Sequence, residues 1–100
     1  MIIVAGTITI DPASRQEMLE AVVPMMEASR AEPGCHEYVF SADPIDPSTV
    51  HLYELWESED DLRAHFETDH MAQWQQRSAK LPISGRSVSK YTISGVGPVR

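Results

Sequence analysis

The sequence predicts an α+β fold of the ferredoxin-like type, in which helices cover one face of a four-stranded antiparallel sheet. Segments rich in β-branched and aromatic residues alternate with segments of helical spacing in the order βαββαβ. A short loop rich in Asp and Pro separates the two middle strands, which is typical of a hairpin. A length of 100 residues suits one core, so we expect a single domain over residues 1–100.

The first strand is predicted over residues 2–10, IIVAGTITI, because almost every residue there is β-branched or small. Neither of its faces carries a charge, so we expect it to be a central strand. The Asp-Pro pair at 11–12 begins a helix, since Asp caps helices and Pro is favoured in the first position. Pro24 lacks a backbone donor and should kink this helix, and the Pro-Gly pair at 33–34 ends it.

The second and third strands are predicted over residues 35–41 and 50–57, on either side of a hairpin loop at 43–49. Successive side chains of a strand point to opposite faces. The third strand therefore has two faces, formed by Val50, Leu52, Glu54 and Trp56 on one side and by His51, Tyr53, Leu55 and Glu57 on the other.

A second helix is predicted to start after Ser58, with Asp61 in the place of the capping-box acid. It should break or bend near residues 68–69, where Asp69 is positioned to cap a further helical segment. The fourth strand is predicted over residues 86–95.

The predicted strands carry apolar residues on both faces, whereas the helices would cover only one of them. A monomer would therefore expose a sizeable apolar patch, and such patches usually mark an interface. We expect a homodimer that packs sheet to sheet.

Composition excludes several classes of partner. The net charge of −7 argues against binding to nucleic acid or to anionic membrane surfaces, which both attract Lys and Arg. The apolar N-terminal segment lacks a basic leader region and is too short to span a bilayer. The single cysteine, Cys35, rules out an intramolecular disulfide and fits a cytoplasmic location.

The histidines and acids do not predict a metal site. His51 and Glu54 are three residues apart on a strand, which places them on opposite faces. His65 and His70 are five residues apart, whereas a spacing of three or four shares a helical face. No zinc-ligand spacing is present, and Cys35 is interpreted as a small buried residue rather than a nucleophile.

Several motifs together resemble the antibiotic biosynthesis monooxygenase (ABM) domain family. They are the EPGC turn at residues 32–35 followed by Tyr38, the YELW segment at 53–56, the Leu-x-x-His pair that ends at His65, and then His70. The resemblance implies a dimeric α+β barrel of ferredoxin-like protomers, with a pocket between the sheet and the helices of each. Active members of the family oxygenate aromatic polyketides or quinols without metal or flavin. Other branches degrade haem or isomerise a small sugar phosphate, but the first strand here lacks the Asn that the haem-degrading branch uses.

The function that we expect is a cofactor-independent monooxygenase acting on a small aromatic molecule, a quinol or a polycyclic phenol. Such a protein must supply a base, an apolar pocket and donors for the developing oxyanion. His65 is the candidate base, because it titrates in the right range and its spacing from Leu62 and Phe66 turns it toward the sheet. The alternative is a structural histidine bonded to a strand carbonyl.

Six further residues are candidates for binding the substrate. Tryptophans can stack on a flat ring and tyrosines offer phenol donors, although core packing is the alternative for the tryptophans. A carboxylate on an apolar face should be paired, for example with Arg63, or have a raised pKa. These candidates are Tyr38, Tyr53, Glu54, Trp56, His70 and Trp74.

Two other functions stay open at this point. One is a non-catalytic dimer that binds a small apolar ligand or serves as an accessory domain. The other is an isomerase of a phosphorylated sugar, which would need cationic contacts such as Arg77 and Lys80 near the pocket.

Overall fold

The computed structural model describes all 100 residues. Its strands form one four-stranded antiparallel sheet. The strands lie in the order β2-β3-β1-β4, which confirms the predicted ferredoxin-like α+β fold. In chain order the elements are β1 (Ile2–Ile10), a 3₁₀ turn (Pro12–Ser14), α1 (Arg15–Ala21), α2 (Val23–Arg30), β2 (Cys35–Ala42), β3 (Thr49–Trp56), α3 (Glu59–His65), α4 (Asp69–Ser78) and β4 (Ile83–Thr92). None of the helices combines the length and the apolar run that crossing a bilayer requires.

The uncharged first strand is central, as predicted. β1 pairs with β3 from Ile2 opposite Trp56 to Thr9 opposite Thr49, and with β4 along its other edge. An uncharged strand fits this place because both of its edges are hydrogen-bonded and Ile2, Ile8 and Ile10 on its helix-facing side are buried.

The core lies between the sheet and the helices. Side chains at alternate positions of β1, β2 and β3 point into it, as the period of two requires. The buried apolar residues are Ile2, Ile8, Ile10, Met18, Val22, Met25, Tyr38, Phe40, Val50, Leu52, Trp56, Leu62 and Trp74. Glu54 lies in the same layer, on the face that the sequence predicted for it.

The first helical region is divided rather than continuous. Asp11 caps the 3₁₀ turn by accepting a hydrogen bond from the Ala13 N–H at 2.9 Å. α1 then ends at Ala21, Val22 separates the two helices, and α2 begins at Val23 with Pro24 in its first turn. The expected kink is therefore present two residues before the proline, where the missing donor is tolerated.

Several element ends differ from the prediction, among them the end of β4 at Thr92 rather than at residue 95. Two of the differences have a visible cause. Thr68, not Asp69, caps α4, because its hydroxyl accepts from the Met71 N–H at 3.3 Å. β4 begins at Ile83, three residues earlier than predicted, because Ile83 pairs with Ile10 beyond an irregularity in the register. A pattern of strand-like residues could not reveal this pairing across the sheet.

Candidate functional site

Glu32, His65 and His70 form a cluster between the helices and the turn that precedes β2. The Oε2 atom of Glu32 lies 2.6 Å from Nδ1 of His65 and 2.7 Å from Nε2 of His70. A carboxylate can only accept hydrogen bonds, so both imidazole N–H groups donate to the same oxygen. One acid thereby fixes the tautomer and the orientation of two histidines.

The turn between α2 and β2 places Glu32 in this cluster. The Glu32 N–H donates to the Ser29 carbonyl at 3.0 Å, and the Glu32 carbonyl accepts from the Cys35 N–H at 3.2 Å. Gly34 has φ of 79°, a left-handed conformation that glycine adopts without a steric cost. The Pro-Gly pair thus ends the helical region, as predicted, and also positions the acid.

The corner between α3 and α4 brings the two histidines together. His65 is the last residue of α3, and His70 lies in the first turn of α4. The Thr68 hydroxyl donates to the His65 carbonyl at 2.7 Å and accepts from the Met71 N–H. Thr68 therefore fixes the corner from both sides.

The prediction that His65 and His70 diverge is wrong, because the spacing rule applies only within a continuous helix. The chain leaves helical geometry between them, and their ring centroids lie 5.9 Å apart. Sequence reasoning also assigned no role to Glu32. The available signal was its place at the start of the EPGC motif, directly before the turn.

His65 is enclosed by aromatic rings. Its ring centroid lies 4.9 Å from that of Trp56 and 5.3 Å from that of Tyr38, and its Nε2 is 3.4 Å from the Tyr38 hydroxyl. The side chain is only 1% exposed. Burial lowers the pKa of His65, and the hydrogen bond to Glu32 opposes this shift. The alternative of a histidine bonded to a strand carbonyl is not what the structure shows, since its partners are a carboxylate and a hydroxyl.

Glu54 and Trp56 form a second polar contact in the same layer. The indole Nε1–H of Trp56 donates to Oε1 of Glu54 at 2.8 Å. Burial raises the pKa of Glu54 to about 7, and the Trp56 hydrogen bond limits the rise. Burial also raises the pKa of the neighbouring Tyr38. Arg63 pairs with Asp60 at 2.9 Å instead of with Glu54.

Two of the residues proposed from the sequence lie outside this layer or at its edge. Tyr53 projects from the opposite face of the sheet, so it does not join His65. Trp74 is buried and packs edge-on against Phe40, with ring centroids 5.8 Å apart.

The other two histidines lie at the surface, away from the cluster. His36 and His51 each contact a surface carboxylate at 2.7 Å.

Two cavities lie near the cluster, and only the smaller one is lined by a member of it, His70. The larger, of about 330 Å³, lies between the sheet and α3 and is lined by Val4, Leu62, Phe66 and Val88, with Glu59, Arg63, Ser89 and Lys90 around it. The smaller, of about 140 Å³, lies between α2 and α4 and is bordered by His70, Trp74 and Arg77. His65 borders neither, but the ring of Phe66, which lines the larger one, is 5.6 Å from it.

The family described as antibiotic biosynthesis monooxygenase matches residues 1–77 of the sequence. The chain belongs to this family. The match confirms the family that the EPGC, YELW and histidine motifs predicted.

Two sequence relatives align with almost the whole chain. The uncharacterized protein sll1783 of Synechocystis is 29% identical over 93 residues, which are 93% of this chain and 63% of that protein. The chain thus spans less than two thirds of that relative. A Bacillus subtilis protein named "Putative monooxygenase YcnE" is 27% identical over 94 residues, covering 94% of this chain and 99% of that one.

Solved structures share the ABM fold. A protein of Deinococcus radiodurans described as a putative antibiotic biosynthesis monooxygenase superposes with a TM-score of 0.90 at 20% identity, covering 100% of this chain and 99% of that one. A protein of Nitrosomonas europaea with the same description gives a TM-score of 0.84 at 25% identity, with coverages of 92% and 97%.

Proposed function

We propose that this ABM-family protein is a cofactor-independent monooxygenase of a quinol or polycyclic phenol, with His65 as the base. The observation that carries the proposal is the 2.6 Å contact between Glu32 and Nδ1 of His65. By accepting the Nδ1 proton, Glu32 leaves Nε2 as the basic nitrogen. This is how a carboxylate commonly orients a histidine base.

The reaction requires only the substrate and oxygen. Removal of a phenolic proton gives an anion that can pass an electron to O₂, after which a C–O bond forms on the ring. For a hydroquinone, one oxygen atom ends in the hydroxyquinone product and the other leaves as water, so that quinol and O₂ give hydroxyquinone and H₂O. A base placed for the first step contributes about 10²–10⁴ in rate.

The larger cavity fits such a substrate. Its volume of about 330 Å³ lies in the range of small-molecule sites, about 300–1,000 Å³. Leu62 and Phe66 lie on either side of His65 in the sequence and both line this cavity. Phe66 is 54% exposed, so its displacement would open the path from the cavity to His65. Arg63 and Lys90 border the cavity and pair with Asp60 and Glu59, so they would stabilise a phenolate by exchanging these carboxylates for it.

Turnover of a hydroquinone panel in air and under nitrogen tests the proposal. We expect oxygen-dependent formation of a hydroxyquinone that takes one labelled atom from ¹⁸O₂. His65→Ala should lower kcat by about 10²-fold or more, and Glu32→Gln should lower it less. The matched control is His36→Ala, which removes a surface histidine that also contacts a carboxylate, at 2.7 Å. Equal rates for His65→Ala and the wild type would exclude His65 as the base.

A non-catalytic ligand-binding protein is the second candidate, and the burial of His65 favours it. A side chain that is 1% exposed meets substrate only after its surroundings move. If this candidate is right, quinols raise the melting temperature by an amount that grows with the logarithm of their excess over Kd, and no labelled product forms.

A further inference from the structure

We propose that Glu32, His65 and His70 form a binding site for one divalent first-row transition-metal ion such as Zn²⁺. One donor atom from each residue lies within 4.8 Å of the others, and no other group of three such residues occurs in the protein. Two imidazoles and a carboxylate form a donor set that holds zinc or iron(II) with further positions left open.

The donor atoms lie close to the separations that an ion requires. A tetrahedral ion with bonds of about 2.1 Å places its donors about 3.4 Å apart. The carboxylate oxygen now lies 2.6 and 2.7 Å from the two nitrogens. The ion would take the place of the shared protons, and each donor would move outward by less than about 1 Å.

The surroundings of the cluster suit a ligated ion. When His65 coordinates through Nδ1, its Nε2 carries the proton and donates it to the Tyr38 hydroxyl, which lies 3.4 Å away. Ligating histidines usually have such an outer partner. The backbone bonds of Glu32 and the Thr68 contact at the α3–α4 corner hold the ligands on rigid elements.

Access to the site lies on the side of His70. The exposed fractions of the side chains are 1% for His65, 10% for Glu32 and 21% for His70. His70 also borders the cavity of about 140 Å³ between α2 and α4. This cavity gives the ion an entry path and leaves space for a bound water as a fourth ligand.

Metal binding and the proposed function exclude each other at His65. An ion on Nδ1 requires a proton on Nε2, the nitrogen that would accept the phenolic proton. Bound Zn²⁺ should therefore inhibit the oxygenation. This consequence alone rests on the proposed function, whereas the metal site does not.

Binding is tested on untagged protein that has been stripped with a chelator. Titration with Zn²⁺ by calorimetry should give one ion per chain. Co²⁺ should give the visible d–d absorption of a four- or five-coordinate ion. His70→Ala and Glu32→Gln should each weaken binding by about 100-fold or more, since each removes or neutralises a ligand. His36→Ala and His51→Ala leave these three ligands intact and should bind as the wild type does.

Three results would overturn the site: no Zn²⁺ uptake by the stripped protein, equal affinity in His70→Ala and the wild type, or loss of binding in His36→Ala. His70 is partly exposed, so the fold of His70→Ala should persist, which circular dichroism checks. Glu32→Gln keeps the shape of the side chain, so it provides a second test of ligand loss in which the fold should also persist. Both titrations are made without substrate, so a failed oxygenase assay would leave them unaffected.

Discussion

Glu54 is the only carboxylate that the fold buries. Burial disfavours its charged form and raises its pKa from an ordinary 4.5 to about 7, while the Trp56 indole supplies a donor that limits the rise. This displacement corresponds to roughly 3 kcal/mol between the two protonation states. Keeping this acid in the core therefore costs stability at every pH above its ordinary pKa, and the cost is complete once the pH exceeds about 7.

The stability difference between the wild type and Glu54→Gln should depend on pH. Below pH 4.5 the carboxyl is protonated in both the folded and the unfolded state. Between pH 4.5 and about 7 only the folded state keeps the proton, so the wild type loses stability as the pH rises. Above about 7 the loss is complete. Glutamine does not titrate. The free energy of unfolding of Glu54→Gln, measured in urea, should therefore rise relative to that of the wild type by roughly 3 kcal/mol from pH 4.5 to 8. A difference that is constant over this range would contradict the buried, titrating carboxyl.

This residue could be predicted from sequence because the period of a strand is simple. Alternation placed Glu54 and Trp56 on one apolar face and required either a partner or a raised pKa. The structure shows both, and the partner is the neighbour two positions along the same face. The contact of Glu32 with His65 could not be found this way. It joins residues 33 positions apart across a turn and a helix end, whose relative placement no local pattern fixes.

Among the elements, the turn before β2 is the one that brings Glu32 of the cluster to α3. Gly34 lies directly under the first turn of α3. A Cβ atom built on it would meet the Asp61 carboxyl oxygen at 2.2 Å, and its φ of 79° already disfavours a side chain. The Gly34 carbonyl also accepts from the Glu57 N–H at 2.8 Å. The absence of a side chain here allows the turn that carries Glu32 to dock onto the third helix.

Gly34→Ala should therefore destabilise the protein by more than about 1 kcal/mol, from backbone strain and steric conflict together. Chemical denaturation measures this loss. The matched control is Gly95→Ala in the C-terminal tail, where an added Cβ meets nothing within 4 Å, so its stability should stay within about 0.5 kcal/mol of the wild type. Equal stability of the two variants would show that the turn does not depend on close contact with α3.

Element types followed from composition, whereas the corner geometry did not. β-branched runs and the Asp-Pro loop gave the strands and the hairpin, since these signals are local. The break between α3 and α4 was also visible in the sequence. Its consequence, that His65 and His70 converge, depends on how Thr68 turns the chain, which the spacing of the two histidines does not encode.

At the scale of the whole molecule, the sheet face opposite the helices is the main apolar surface that no other element covers. Val39, Tyr53 and Leu55 are only partly buried there, beside Ile3 on the central strand, and no helix covers them. Both cavities lie on the helix side, so a partner on the open face would leave each protomer with its own complete site. We propose that a second copy of the chain covers this face.

The homodimer should have twice the chain mass by light scattering at micromolar concentration, with a buried area of about 1,600 Å². Leu55→Asp places a charge in the apolar patch, where dimerisation would desolvate it without a partner, so it should shift the protein to monomers. Ile45→Asp is the matched control, because Ile45 is 91% exposed in the hairpin loop and its replacement should leave the dimer intact. A wild-type protein with the mass of one chain would exclude the sheet-to-sheet dimer. Dissociation by Ile45→Asp but not by Leu55→Asp would show instead that the loop, and not the open sheet face, carries the contact.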